Sequence, residues 1–151
     1  MTYEQLLTES DQEGLLTKEK ALLANKGRIK GKRIAIKKDM TQVEKGCVLA
    51  EELGHFHTTA GDIMDQTVFL NRKQERLARI WAYDKMIGLQ GLTASFSHGC
   101  RTASEICEYL NITEEFLTDA LSYYREKYGV CARYLNYIIY FEPSLGIIEL
   151  I

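Results

Sequence analysis

Apolar residues recur at helical spacing in five segments of the chain, and each segment carries a capping or stop signal or stands at the N-terminus. The pattern predicts a short helix over Thr2–Thr8. It predicts four longer helices: from the capping box Thr41–Glu44 to Phe56, over Asn71–Ile87 with Gly88 as stop, from Thr102–Glu105 to Leu110, and from Thr113 to Tyr128 before Gly129.

Alternating apolar residues predict strands in two other places. Ile29, Ile34 and Ile36 surround the turn sequence KGK, which is typical of a small β-hairpin over Gly27–Ile36. The tail is apolar over Tyr134–Phe141 and Gly146–Ile151 and predicts strands or a hairpin. The expected fold class is therefore α+β, mostly helical, with a small sheet and a C-terminal strand or hairpin.

Length and composition add few constraints. The 151 residues contain no repeat or linker and only one proline, so we expect a single domain over 1–151. The net charge of −2 predicts neither direct DNA binding nor attachment to an anionic membrane. We expect a cytoplasmic protein, because no leader pattern precedes the first helix and no apolar run is long enough to span a bilayer. The four cysteines form no CxxC pair, so we expect them to be reduced and buried.

The segment AEELGH, residues 50–55, is the main candidate for chemistry. Glu51 and His55 are four residues apart and lie on one helix face, so both could bind one metal ion. Glu52 lies one step round the helix, where its carboxylate can reach a metal-bound water and act as general base. Without other support, such a motif is more often an exposed acidic face with an incidental histidine.

A metallopeptidase site needs a third ligand from elsewhere, and Glu75 is the first candidate. It shares a helix face with Ala78 and Ala82, and these small residues would let another helix approach closely. Asp62 and Asp65, in the intervening loop, are weaker candidates.

The other two histidines are weaker still. His98, in the Gly-rich segment SFSHGC, could stabilise an oxyanion or contact substrate from a loop, although a solvated loop histidine is the more common case. His57 cannot share the helical face of His55 and is expected in a loop or at the surface.

The segments CVLAEELGHFHTTAGDI and QERLARIWAYDKMI together resemble the ImmA/IrrE family of metallopeptidases, and most closely its phage and mobile-element members from Gram-positive bacteria. The resemblance implies a zincin-like domain with Glu52 as catalytic base and His55 and Glu75 as metal ligands. It further implies cleavage of a helix-turn-helix repressor, and therefore derepression of a mobile element in the bacterial host cell.

The chain departs from the family pattern at Glu51, where the family's HExxH motif has histidine. A Glu51/His55/Glu75 site would carry more negative charge, which lowers the acidity of bound water and shifts preference from zinc toward manganese or iron. Three outcomes stay open: an altered but active site, a weak site filled only with substrate, and a metal-free relic. The rival function is a non-catalytic regulator that binds a repressor or toxin without cutting it.

Two further segments have alternative interpretations. Lys18–Lys38 holds nine of the nineteen basic residues, and Arg28, Lys30 and Lys32 could line a substrate-binding edge or protect an exposed strand from unwanted pairing. Thr102–Tyr128 has the layout of a DNA-binding helix-turn-helix. Glu114, Glu115 and Asp119 would repel phosphate, however, so a packed structural helix pair is expected.

Overall fold

The computed structural model describes residues 1–59 and 68–151 of the chain. The fold is α+β and mostly helical, which confirms the predicted class. It divides into two compact units, Met1–Lys85 and Met86–Ile151.

The first unit combines three helices with a three-stranded sheet. Its elements are α1 (Tyr3–Gln12), β1 (Leu16–Lys20), β2 (Gly27–Lys30), β3 (Arg33–Lys37), α2 (Gln42–Thr58) and α3 (Val68–Met86), the last of which ends one residue beyond the unit. The strand order is β1-β3-β2, with β1 parallel and β2 antiparallel to the central β3.

One face of this sheet is covered by helices. Ile34 and Ile36 of β3 are buried, as are Leu6 of α1 and Leu49 and Leu53 of α2. Because side chains alternate along a strand, the remaining residues of β3 point to the opposite, outer face. The sheet is thus apolar toward α1 and α2.

The second unit packs three helices with an antiparallel meander. Its elements are α4 (Gly88–His98), α5 (Ala103–Leu110), α6 (Glu114–Tyr128), β4 (Cys131–Tyr134), β5 (Tyr137–Tyr140) and β6 (Gly146–Glu149), with strand order β4-β5-β6. Phe116, Leu117, Ala120 and Tyr124 of α6 are buried. This confirms the expectation that the helix pair is packed.

Three elements were not predicted. β1 has the sequence LTKEK, whose only large apolar residue, Leu16, is half exposed, so the pairing with β3 and not apolar alternation makes it a strand. β4 precedes the predicted tail. The helix α4 begins at Gly88, which was expected only as a stop, and its burial of Leu92, Thr93 and Ser95 favours the helix over a loop.

The described helices and the four cysteines bear on two further expectations. Among the described residues, every helix is too short or too polar to serve as a membrane span. Cys47, Cys100 and Cys107 are buried free thiols as expected, but Cys131 is exposed at the start of β4, where that expectation was wrong.

Candidate functional site

The helix α2 carries the AEELGH segment, and local sequence explains why it forms. Thr41 is the N-cap, and its hydroxyl accepts a hydrogen bond from the Glu44 backbone N–H at 3.1 Å. Leu49, Ala50 and Leu53 are at most 1% exposed and hold one face of the helix in the core. Glu51, Glu52 and His55 are only partly buried.

A close helix contact brings α3 to this segment. A Cβ atom added to Gly54 would collide with the backbone carbonyl of Ala78, because it would lie only 2.9 Å from the carbonyl carbon. Ala78 and Ala82 are fully buried. The prediction that small residues on this face of α3 permit close approach is therefore confirmed.

This approach places His55 against Glu75. The imidazole Nε2 lies 3.0 Å from the Glu75 Oε2, and the other carboxylate oxygen lies 3.5 Å from the Arg79 Nε. Two ligands that each stand about 2.1 Å from one tetrahedral ion are separated by about 3.4 Å. At 3.0 Å the two side chains are in direct hydrogen-bond contact, and a separation larger by about 0.4 Å would let both bind one ion.

Glu52 sits in a more enclosed setting, against the strand β2. A Cβ atom on Gly27 would lie 2.9 Å from the Glu52 Oε1, so only glycine leaves room for the carboxylate there. Burial first, and then the nearby charges of Glu51 and Glu75, together raise the pKa of Glu52 to about 7. The carboxyl therefore exchanges its proton near neutral pH, as a general base must.

Sequence reasoning missed Gly27 as a site residue. It was assigned only to the start of a hairpin, and its contact with α2 depends on how the sheet packs on that helix. A glycine opening a predicted strand was the available signal, since such positions often mark the close approach of another group.

Within the described residues, no third ligand joins His55 and Glu75. No group of three His, Cys, Asp or Glu side chains able to hold an ion occurs within residues 1–59 and 68–151. Glu51 is near enough to raise the pKa of Glu52, yet it does not complete such a group with His55 and Glu75. Asp62 and Asp65 lie outside the described residues.

The remaining histidines lie elsewhere. His98 is the last residue of α4, in the second unit, where its ring stacks on Tyr109 at 4.5 Å; the expected loop position was wrong, because α4 extends to this residue. Its role toward substrate stays a prediction. His57 lies at the surface in the last turn of α2, where it pairs with Glu13 at 2.8 Å and stacks on Trp81 at 4.7 Å.

Comparison with known proteins gives one positive result. The family model of the IrrE N-terminal-like domain (Peptidase M78) matches residues 8–122, which is more than half of the chain and includes both α2 and α3. Searches of curated proteins and of solved structures gave no significant match.

Proposed function

Because the chain belongs to the IrrE N-terminal-like peptidase family, we propose that it is a metal-dependent endopeptidase whose site is built from Glu52 and the His55–Glu75 pair. The family is one of metallopeptidases, and the zincin-like α+β domain agrees with it. The observation that carries the proposal is the 3.0 Å contact between His55 and Glu75 beside the enclosed carboxyl of Glu52.

The roles of the residues follow from their surroundings. His55 and Glu75 would hold the ion, and Glu51 would be the third ligand once its side chain had turned toward them. When bound, the metal supplies Lewis-acid activation of a peptide carbonyl and of water. Zinc is the first candidate, with manganese or iron as alternatives because two of the three ligands are carboxylates.

Glu52 performs the proton transfer. Its carboxylate accepts a proton from the attacking water, and the carboxylic acid then gives that proton to the nitrogen of the leaving amine. A raised pKa serves both halves of this transfer, since the group must bind the proton and release it in one cycle. The backbone of Gly27 keeps the carboxyl enclosed and limits its access to bulk water.

The substrate we propose is a helix-turn-helix repressor in the bacterial cytoplasm, whose cleavage derepresses a phage or other mobile element. The support is the likeness of the two quoted segments to the mobile-element members of the family. This role does not require the chain to bind DNA, and the buried side chains of α6 agree with the structural helix pair expected for Thr102–Tyr128.

Metal content is the first test. The protein is purified without chelator, supplied with zinc or manganese, and analysed by mass spectrometry alongside Glu51→Ala, Glu75→Ala and a control, Glu108→Gln, which changes an exposed carboxylate on α5. We expect about one ion in the wild type and the control, and a loss of about tenfold or more in affinity for each ligand variant. A wild type that binds neither metal would refute the peptidase assignment.

Cleavage is the second test. The protein is incubated with the repressor encoded beside it, and products are identified by mass spectrometry. Wild type should yield two fragments, and Glu52→Gln should yield none while retaining its metal. Equal cleavage by both proteins would remove Glu52 from the mechanism, and metal binding without any cleavage would favour the non-catalytic regulator.

A further inference from the structure

The outer face of the first unit's sheet is strongly basic. Strand register aligns three rows of side chains across β1, β3 and β2 on this face. The rows hold seven cations, one leucine and one alanine: Leu16–Arg33–Lys30, then Lys18–Ala35–Arg28, then Lys20–Lys37–Lys26.

None of the strand residues on this face is acidic. Glu19 is the only acidic residue in the segment 18–38, and it belongs to the opposite face, where its carboxylate binds Lys45 at 2.7 Å and Tyr3 at 3.2 Å. The seven cations form no ion pair with any carboxylate in the part of the chain that the structure describes. Like charges on neighbouring strands repel, so the face is stabilised by any anion that covers it.

The face is also shaped as a shallow groove. A depression of about 350 Å³ runs over the small side chain of Ala35 and is lined by Leu16 and by the cations Lys18, Lys20, Arg28, Lys30 and Arg33. Leu16 is 51% exposed at one end of it. The groove therefore has cations on both sides of Ala35 and an exposed apolar side chain, Leu16, at one end.

The size of the face and the charge of the rest of the chain indicate which class of anion it binds. Three strands of up to five residues form a patch about 10 Å by 16 Å, which an extended peptide of about five residues would cover. The segment 18–38 holds nine of nineteen basic and one of twenty-one acidic residues, so the rest of the chain has ten basic and twenty acidic residues. This acidic excess outside the segment disfavours binding of a long polyanion such as a nucleic acid.

We propose that this basic sheet face binds a short acidic segment of the protein substrate. That the bound protein is a substrate rests on the proposed peptidase function, whereas the binding itself does not require catalysis. β2 connects the two sites, because Gly27 of this strand lies against Glu52 while the next residue, Arg28, faces the groove. An acidic segment held on the sheet is thereby anchored beside the strand that encloses the catalytic carboxyl.

Fluorescence anisotropy tests the binding. The full chain carrying Glu52→Gln, which prevents cleavage, is titrated into a labelled peptide of about ten alternating Asp and Thr residues. A peptide with Asn in place of Asp and a single-stranded oligothymidylate of similar length are titrated in parallel. We expect the acidic peptide to bind best, and its affinity to fall steeply as ionic strength rises from about 0.05 M to about 0.5 M.

Variants locate the site. Lys18→Gln with Arg28→Gln removes both cations of the central row and should weaken acidic-peptide binding by about tenfold. The matched control, Lys38→Gln with Arg125→Gln, removes two exposed cations that do not line the groove and should bind within about twofold of the parent. Thermal unfolding checks that both variants are folded, and Lys30→Gln alone provides a milder change at the same face.

The outcomes separate this inference from the proposed function. No preference for Asp over Asn, equal binding by the central-row variant, or tighter binding of oligothymidylate would each overturn the acidic-segment assignment, even if metal binding and repressor cleavage are observed. Acidic-peptide binding that depends on Lys18 and Arg28 would stand even if Glu52→Gln proved to have no effect on cleavage.

Discussion

The two units of the chain differ in the reach of their side-chain polar contacts, although buried Ser10 of the first unit also donates a hydrogen bond within its own helix, to the Leu7 carbonyl. In the first unit, polar side chains meet partners far away in the sequence: Lys45 pairs with Glu19, His55 with Glu75 and His57 with Glu13. In the second unit, Thr93 and Ser95 donate hydrogen bonds to backbone carbonyls of their own helix, at Gln90 and Gly91. A local bond only supplies a buried hydroxyl with its hydrogen-bond partner. A long-range pair instead brings two ionisable side chains together, where both can contact a bound ion or substrate.

The largest effect is expected at Glu52. Glu52→Gln keeps the size of the side chain but removes the proton acceptor, so cleavage of the repressor should fall by about 10²- to 10⁴-fold. The measurement is single-turnover cleavage with metal content determined on the same sample. A fall that accompanies loss of metal would instead assign a structural role to Glu52.

The helix contact that joins α2 to α3 should dominate stability. Gly54→Ala places a methyl group against the Ala78 carbonyl and should lower the free energy of unfolding by about 3 kcal/mol. Gly46→Ala on the same helix is the control, because its Cβ would lie 3.6 Å from Tyr3, an ordinary contact, and alanine favours the helix by about 1 kcal/mol. Urea unfolding measures both, and equal stabilities would contradict the close approach.

The raised pKa of Glu52 predicts a pH dependence of stability in the metal-free protein. Below about pH 4.5, the ordinary value, the carboxyl is protonated in both folded and unfolded chains; between 4.5 and about 7, the unfolded chain loses the proton first. Unfolding is therefore favoured as pH rises through this window, by about 3 kcal/mol in total.

Glu52→Gln supplies the control for this pH effect. Its free energy of unfolding, measured with chelator at pH 4.5 and pH 8, should lack the part of the decline that Glu52 causes. If the variant and the wild type lose the same stability across this range, the carboxyl is not the source.

In the second unit, Tyr124 offers the contrasting case of a long-range bond without chemistry. Its hydroxyl accepts a hydrogen bond from the Gly88 backbone N–H at 3.0 Å, and the residue is fully buried. Tyr124→Phe should cost about 1 kcal/mol of stability and leave cleavage unchanged. Tyr134→Phe, on the partly exposed strand β4, should change neither quantity, and a loss of activity in Tyr124→Phe would contradict the division of roles.

The smallest effect is expected for the His57–Glu13 pair. Their side chains are 33% and 36% exposed, so solvent screens the interaction. A double-mutant cycle with His57→Gln and Glu13→Gln should give a coupling energy of about 0.5 kcal/mol. A coupling several times larger would show that the stacking of His57 on Trp81 strengthens the pair.

Local signals predicted five of the six described helices and the hairpin of β2 and β3, but they missed β1, β4 and α4. Thr41, Thr102 and Thr113 each cap a helix where expected, because a cap involves only residues three positions apart. β1 was missed because its partner, β3, lies about fifteen residues further along and supplies the hydrogen bonds that make LTKEK a strand. The helix α4 was missed because its two glycines disfavour a helix locally. Packing compensates for them, since Gly91 lies beside Leu110, which a Cβ atom on Gly91 would approach to 3.5 Å.

The sequence by itself determined the helix that carries Glu51, Glu52 and His55, and the small-residue face that follows Glu75, because both depend on spacing within one helix. Tertiary structure alone decided that His55 meets Glu75, that Gly27 encloses Glu52, and that seven cations share one uncovered sheet face. Each of these depends on distances between elements separated by twenty or so residues, which helical or strand periodicity does not encode. Glu51 departs from the family motif, and neither the sequence nor the described structure shows it as the third ligand of His55 and Glu75. Metal analysis of Glu51→Ala tests this role.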